Sequence, residues 1–101
     1  MSKLALMRAV RRRAQVWADR GVRLNAVAPG PVQTPLLQAS LDHPVLGPLT
    51  EALPVPLGRR AEPAEIAGVI GFLLGPASGY VHGSVLFADG GTDALVRPDA
   101  L

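Results

Sequence analysis

Residues 23–34 have the types and order that could bind a flat ligand. An apolar run leads into Pro29, Gly30 and Pro31, and the hydroxyl of Thr34 follows. In open α/β sheets, ligands bind in the crevice outside the carboxyl ends of the strands. Gly30 has no side chain, so the backbone there can lie against a flat ring. The segment therefore predicts a ligand site, although a plain turn that ends a strand accounts for the same residues.

The first elements that must position this segment follow from periodicity, prolines and glycines. We expect one helix over residues 2–19, ended by Gly21, and then a strand over residues 22–28. The strand assignment depends on length, β-branched content and the proline that follows. Six prolines between residues 31 and 58 predict a long loop with one or two short helical turns.

The second half of the chain predicts another helix and another strand. Pro63 suits the first helical position, and Pro76 ends the helix. Apolar residues between these prolines recur three and four positions apart, at Ile66, Val69, Ile70, Leu73 and Leu74. A strand over residues 84–88 precedes the sharp break at Asp89, and residues 92–101 form a tail. The order helix, strand, loop, helix, strand indicates an α/β fold.

The composition allows one small domain with an excess of apolar surface. The chain has 101 residues, of which 49% are hydrophobic and only 18% charged, whereas about 25% is usual for the charged fraction. We therefore expect the surface to need a partner. The chain has no cysteine, and His43 and His82 lack the spacing of metal ligands, so no metal site is expected. No apolar run is long enough to span a bilayer, which favours a cytoplasmic protein without membrane contact.

A cluster of arginines near the N-terminus raises the question of nucleic-acid binding. Its members are Arg8, Arg11, Arg12 and Arg13. Apolar residues on the same segment recur at helical intervals, so the arginines fit the solvated flanks of an amphipathic helix. No aromatic residues alternate with them as stacking platforms for bases. We expect no nucleic-acid partner.

Several further motifs, together with the 23–34 segment, resemble the short-chain dehydrogenase/reductase family. They are Gly58-Arg59, residues 62–67, Gly83 and Asp89-Gly90-Gly91, in the family's order and spacing. The resemblance covers roughly residues 2 to 91 and only the C-terminal portion of the family's doubly wound Rossmann-type parallel sheet. It implies a partial NAD(P)-binding domain over residues 1–101, a cofactor that is NAD or NADP, and a homo-oligomer.

The resemblance also implies roles for individual residues. Lys3 matches a catalytic lysine that binds the nicotinamide ribose and lowers the pKa of a tyrosine that transfers the proton. That tyrosine would precede Met1, and without the other motifs Lys3 is an ordinary polar residue at a helix start. Pro29 and Gly30 would pack against the nicotinamide. Val32 would offer backbone groups to the carboxamide, and Thr34 a hydroxyl to the carboxamide or the pyrophosphate.

Three other matches are interpreted as structural. Asn25 would satisfy backbone groups near the strand end, Arg59 would brace the loop, and Asp89 would hold the turn that its two following glycines permit. The region 31–58 would form the substrate-binding loop. Its many leucines and valines predict a small apolar alcohol or ketone as substrate.

Two functions are consistent with these sequence features. The first is that the chain is the C-terminal segment of an oxidoreductase that interconverts an alcohol and a ketone by hydride transfer, inactive as an isolated chain. The family's glycine-rich cofactor motif, which would precede Met1, is expected to lie in a longer protein. The second is a non-catalytic truncated fragment that acts only as an association module through its apolar surface.

The assignment of Lys3 makes a direct prediction. In an active enzyme that contains this segment, Lys3→Ala should lower kcat by orders of magnitude and leave the fold intact, because it removes both a ribose contact and the charge that tunes the tyrosine. Steady-state kinetics with circular dichroism as the folding control test this. Near-normal turnover at neutral pH would show that the assignment is wrong.

Overall fold

The computed structural model describes residues 3–100, and it has the expected α/β architecture. Two parallel strands, β1 (Ala26–Pro29) and β2 (Val85–Ala88), form the sheet in this part of the chain. The Ala26 N–H donates to the Ser84 carbonyl at 2.9 Å, and the Gly30 N–H donates to the Ala88 carbonyl at 3.1 Å. The sequence separation is the same for both pairs, as parallel pairing requires.

Along the described chain, helices lie before, between and after the two strands. They are α1 (Lys3–Arg12), α2 (Ala14–Asp19), α3 (Pro35–Asp42), α4 (Leu46–Glu51), α5 (Pro63–Leu74) and α6 (Thr92–Val96), and a 3₁₀ turn covers Pro76–Ser78. The contacts divide the chain into two compact units. Unit 1 contains the described residues up to Ala28 together with Gly68–Leu86, and unit 2 contains Pro29–Ala67 and the described residues from Phe87 onward.

The single helix expected over residues 2–19 is observed as two helices, with a local distortion at Arg13. Arg13 has φ −90° and ψ 0°, away from the ideal helical value. Its N–H still bonds the Ala9 carbonyl at 3.1 Å, and its carbonyl still accepts from the Trp17 N–H at 3.0 Å. The difference is therefore small. Gly21, with φ 71°, ends the second helix as predicted.

The first strand begins later than the sequence suggests, because residues 23–25 form side-chain contacts in place of ladder bonds. The Arg23 guanidinium donates to the Ser78 carbonyl at 2.7 Å. The Asn25 amide donates to the Val81 carbonyl and accepts from the Ser84 N–H, both at 3.0 Å. Asn25 therefore satisfies backbone groups, as predicted, but it does so at the start of β1 and not near its end. The expected strand over 22–28 is wrong at both ends.

The long loop expected over residues 31–58 contains two regular helices, α3 and α4. Pro35 occupies the first turn of α3, where a missing N–H costs nothing. Gly47 of α4 is buried, and a Cβ atom there would overlap the Leu41 carbonyl oxygen of α3. The proline density was compatible with helices because Pro35 and Pro48 both lie in first turns.

The start of α5 is fixed by an ion pair and a backbone cap. Arg59 donates to both carboxylate oxygens of Glu65, at 2.7 and 2.9 Å. The Glu65 carboxylate also accepts from the Glu62 N–H at 2.9 Å, the backward half of a capping box. The hydrogen bonds from Arg59 and then from the Glu62 backbone lower the pKa of Glu65 to about 2. Arg59 thus has a structural role, as predicted, although its ion pair braces the start of α5 and not the loop.

The expected tail over residues 92–101 contains the helix α6. The Asp89 carboxylate accepts from the Gly91 N–H at 3.0 Å and from the Asp93 N–H at 2.8 Å, so it caps the helix. Arg97 then pairs with Asp93 at 2.7 Å, one turn later. The predicted turn-holding role of Asp89 is observed, and the same carboxylate also starts a helix.

Many large apolar side chains of the described residues lie in solvent. Val10 and Leu73 are the buried hydrophobic residues in this part of the chain, at 7% and 9% exposure. Leu36 and Leu74, in contrast, are about four-fifths exposed, at 79% and 80%. No helix within residues 3–100 is long and apolar enough to cross a bilayer.

This exposed surface predicts how the 101-residue chain behaves alone. Two strands and so small a core do not offset about 1 to 2 kcal/mol of backbone entropy per ordered residue. We expect self-association, with binding of a hydrophobic dye, broad amide resonances and a concentration-dependent size in light scattering. A monodisperse monomer with a sharp cooperative thermal transition would contradict this expectation.

The Arg59–Glu65 pair predicts a pH dependence of stability. Because the pKa of Glu65 is lower in the folded chain than its ordinary value of 4.5, the pair stabilises the fold above about pH 4.5. That contribution is lost as the pH falls towards 2. In a folded protein that contains this segment, Glu65→Gln should remove this part of the pH dependence, measured by urea denaturation between pH 2 and 7.

Glu62→Gln is the matched control, because Glu62 is also exposed at the start of α5 but Arg59 donates no hydrogen bond to it. This variant should keep most of the native pH dependence. Equal pH profiles for Glu65→Gln and the native protein would show that solvent screening cancels the ion pair.

Candidate functional site

The segment predicted to bind a ligand leaves β1 as an extended turn over residues 30–34, which is named the ligand turn. Backbone pairing holds it on one side. Ala61 donates its N–H to the Pro31 carbonyl at 2.9 Å, and its carbonyl accepts from the Gln33 N–H at 2.8 Å. These two bonds form a parallel bridge between Val32 and Ala61. Residues 31–33 are therefore fixed as a short piece of strand.

The N–H and C=O groups of Val32 take no part in the hydrogen bonds of this bridge. In a strand, the N–H and C=O of one residue point to the opposite side from those of its neighbours. The bonds to Ala61 come from Pro31 and Gln33, so the N–H and C=O of Val32 point away from Ala61. Neither group has a hydrogen-bond partner within residues 3–100. A donor and an acceptor thus lie side by side at the carboxyl end of β1.

The packing around Gly30 leaves no space for a side chain. A Cβ atom at this position would lie 2.8 Å from the Asp89 Cα atom and 3.0 Å from the Asp89 carbonyl oxygen. Both atoms belong to the backbone and cannot rotate away. The sequence interpretation attributed the missing side chain to a flat ligand, whereas the structure places the Asp89 backbone against it.

Thr34 has a structural task that the sequence interpretation did not include. It is the N-cap of α3, and its hydroxyl oxygen accepts from the Leu37 N–H at 3.1 Å. The hydroxyl hydrogen remains available for donation to a ligand. Its predicted contact with a carboxamide or pyrophosphate stays a prediction.

Lys3 begins α1, and its side chain lies outside the described part of the chain. The catalytic role predicted for it also remains a prediction.

Sequence reasoning missed Arg60 as part of this region. Its guanidinium donates to the Gln33 amide oxygen at 3.2 Å and to the Glu51 carboxylate at 2.6 Å. Arg60 therefore ties the ligand turn to α4. No local pattern marks this role, because the three residues come together only through the fold.

A cavity of about 200 Å³ lies beside Pro31. Its walls include Thr50, Glu51, Leu53 and Arg60. Ligand pockets commonly measure about 300–1,000 Å³, so this cavity could hold only part of a ligand. The apolar side chains of α3 and α4 lie mainly outside it and remain exposed, as Leu36 and Leu49 do.

The two histidines are engaged in local hydrogen bonds. The Nδ1 atom of His82 accepts from the Leu24 N–H at 3.0 Å, and its Nε2 atom lies 2.6 Å from the Ala14 carbonyl. Both ring nitrogens of His82 are therefore occupied by backbone groups. His43 accepts from the Val45 and Leu46 N–H groups, both at 3.1 Å. Among residues 3–100, no group of three potential metal-binding side chains comes together.

Comparison with known proteins identifies the family of the chain. The family model described as Enoyl-(Acyl carrier protein) reductase matches residues 1–93. The 3-alpha-hydroxysteroid dehydrogenase/carbonyl reductase of Comamonas testosteroni is 55% identical over 97 residues, which are 96% of this chain and 38% of that protein. The galactitol 2-dehydrogenase of Cereibacter sphaeroides is 44% identical over 90 residues, covering 89% of this chain and 35% of the relative.

A solved structure matches closely as well. The 3-alpha-hydroxysteroid dehydrogenase from Pseudomonas sp. B-0831, crystallised with NADH, superposes with a TM-score of 0.90 at 55% identity. The match covers 98% of this chain and 39% of that one. The chain thus spans under two fifths of the length of these relatives. Because the family model matches nearly the whole sequence, the chain belongs to the short-chain dehydrogenase/reductase family.

Proposed function

We propose that this chain forms the nicotinamide side and the substrate loop of an NAD(P)-dependent oxidoreductase that interconverts an alcohol and a ketone. The proposal is based on the N–H and C=O groups of Val32, neither of which has a hydrogen-bond partner within residues 3–100. A primary carboxamide has one acceptor and two donors, and the adjacent N–H and C=O of Val32 complement them. The residues present therefore fit the nicotinamide group.

Bound nicotinamide supplies or accepts a hydride, and the residues of this chain orient it. Val32 fixes the carboxamide and thereby the face of the ring. Pro29 and Gly30 would pack against the nicotinamide ring, and the Asp89 backbone lies against Gly30. Thr34 caps α3 and has a hydroxyl hydrogen to donate. Lys3 would bind ribose hydroxyls and lower the pKa of a tyrosine that moves the proton.

The substrate loop favours an apolar substrate. Leu36 and Leu49 are 79% and 64% exposed on α3 and α4, so apolar surface is available for a ligand to cover. Apolar surface of this kind binds hydrophobic compounds and leaves orientation to a few polar groups. The names of two similar proteins refer to a 3-alpha-hydroxysteroid, which is a bulky alicyclic alcohol. We infer the same substrate class for the protein that contains this chain.

The test uses a fusion in which this chain replaces the aligned segment of the Comamonas relative. The fusion should oxidise a bulky alicyclic alcohol with NAD or NADP, with a higher kcat/KM than for a charged short-chain alcohol. Equal or better efficiency for the charged alcohol would remove the substrate class. An inactive but folded fusion would remove the proposed function.

Two variants of the fusion test the role of Val32. Val32→Pro deletes the N–H, and Val32→Ala retains it. A hydrogen bond contributes about 0.5–1.5 kcal/mol, so Val32→Pro should weaken cofactor binding about threefold to tenfold in calorimetry. Val32→Ala should change binding much less. Equal affinities of the two variants, with unchanged circular dichroism, would show that this N–H does not bind the cofactor.

A second function, a non-catalytic association module, is favoured by the exposed apolar side chains. In that case the chain alone forms an oligomer of defined size, and the fusion is inactive. Light scattering on the chain, combined with the fusion assay, separates the two functions.

A further inference from the structure

The residues Asp89–Thr92, called here the C-terminal turn, contact the ligand turn on one side. The Gly30 N–H bonds the carbonyl of Ala88, immediately before the C-terminal turn, at 3.1 Å. The Asp89 backbone fills the space where a Gly30 side chain would lie. The position of Gly30 is therefore set by backbone atoms, which cannot adjust as a flexible side chain can.

The C-terminal turn also holds the end of the substrate loop. The Thr92 hydroxyl donates to the Pro54 carbonyl at 2.7 Å. The Gly90 carbonyl accepts from the Leu57 N–H at 3.0 Å. These two bonds fix both ends of the segment 54–57. The segment has few other backbone groups that can donate a hydrogen bond, because Pro54 and Pro56 have no N–H.

The two glycines of the C-terminal turn are packed against the same segment. A Cβ atom at Gly90 would lie 2.6 Å from the Val55 Cγ1 atom, and one at Gly91 would lie 3.1 Å from two ring carbons of Pro56. Both glycines have positive φ, 67° and 100°. Side chains are thus excluded here by conformation and by contact with the loop.

We propose that the C-terminal turn is a positioning element that sets the substrate loop relative to the ligand turn, with Thr92 as its positioning residue. The Thr92 hydroxyl determines where Pro54 lies, and Pro54 begins the segment that returns from α4. Thr92 therefore governs which substrates the loop admits, and it acts through the position of Pro54. The catalytic part of this inference rests on the proposed function, whereas the positioning part does not.

Hydrogen exchange tests the positioning part by itself. Thr92→Val removes the hydroxyl, and Thr92→Ser keeps it. In the folded fusion, Thr92→Val should speed exchange of the Leu57 amide about tenfold and leave the amides of α5 unchanged. Thr92→Ser should restore the native rate. Unchanged exchange at Leu57, or equal acceleration throughout α5, would overturn the proposal.

Kinetics of the fusion test the catalytic part. Thr92→Val should raise KM for the bulky alcohol about tenfold, keep the cofactor KM within about twofold, and reduce the preference over the charged short-chain alcohol. Thr92→Ser should recover the preference. Ser84→Ala is the control, because Ser84 is exposed and its hydroxyl forms no bond within residues 3–100.

A loss shared equally by both alcohols, or failure of Thr92→Ser to recover the preference, would assign Thr92 a merely structural role and overturn the proposal. If the native fusion is inactive, the proposed function fails, and hydrogen exchange at Leu57 still decides whether the turn positions the loop.

Discussion

The arrangement of the site depends on the contact between Gly30 and the Asp89 backbone. This contact brings together the chain segments that leave the two parallel strands, with no space for a Cβ atom between them. A backbone contact has no rotamers, so it fixes distance more tightly than contact between side chains does. The ligand turn and the C-terminal turn consequently behave as one structural element. The Asp89 carboxylate links this element to α6, and the Thr92 hydroxyl links it to Pro54.

Local sequence signals predicted the features that depend on local physics. Gly21 ends a helix because glycine adopts positive φ readily, and Pro63 begins one because its missing N–H is not needed there. The predicted roles of Asn25 and Asp89 are likewise observed. The α/β class and the family followed from combining these signals with the spacing of the motifs.

The features that the sequence did not predict depend on partners distant in the chain. The first strand starts late because Arg23 and Asn25 bond carbonyl groups more than 50 positions away. The link from Arg60 to Gln33 and Glu51 forms only after the loop has folded. The carboxylate that caps α6 belongs to Asp89, three residues before the helix begins. Because Asp89 also holds the turn, the sequence predicted the turn and not the helix.

The packing of α3 against α4 has a consequence for how such a protein can diversify. Gly47 and Leu41 bring these helices together through contacts internal to the hairpin. Thr34 caps the start of α3, and Pro54, after α4, accepts from the Thr92 hydroxyl. A hairpin that is stabilised internally and anchored at its ends can be exchanged as a cassette. Sequence changes within residues 35–50 can thus be accommodated without altering the sheet or the two turns, whereas Glu51 has to remain because Arg60 donates to it.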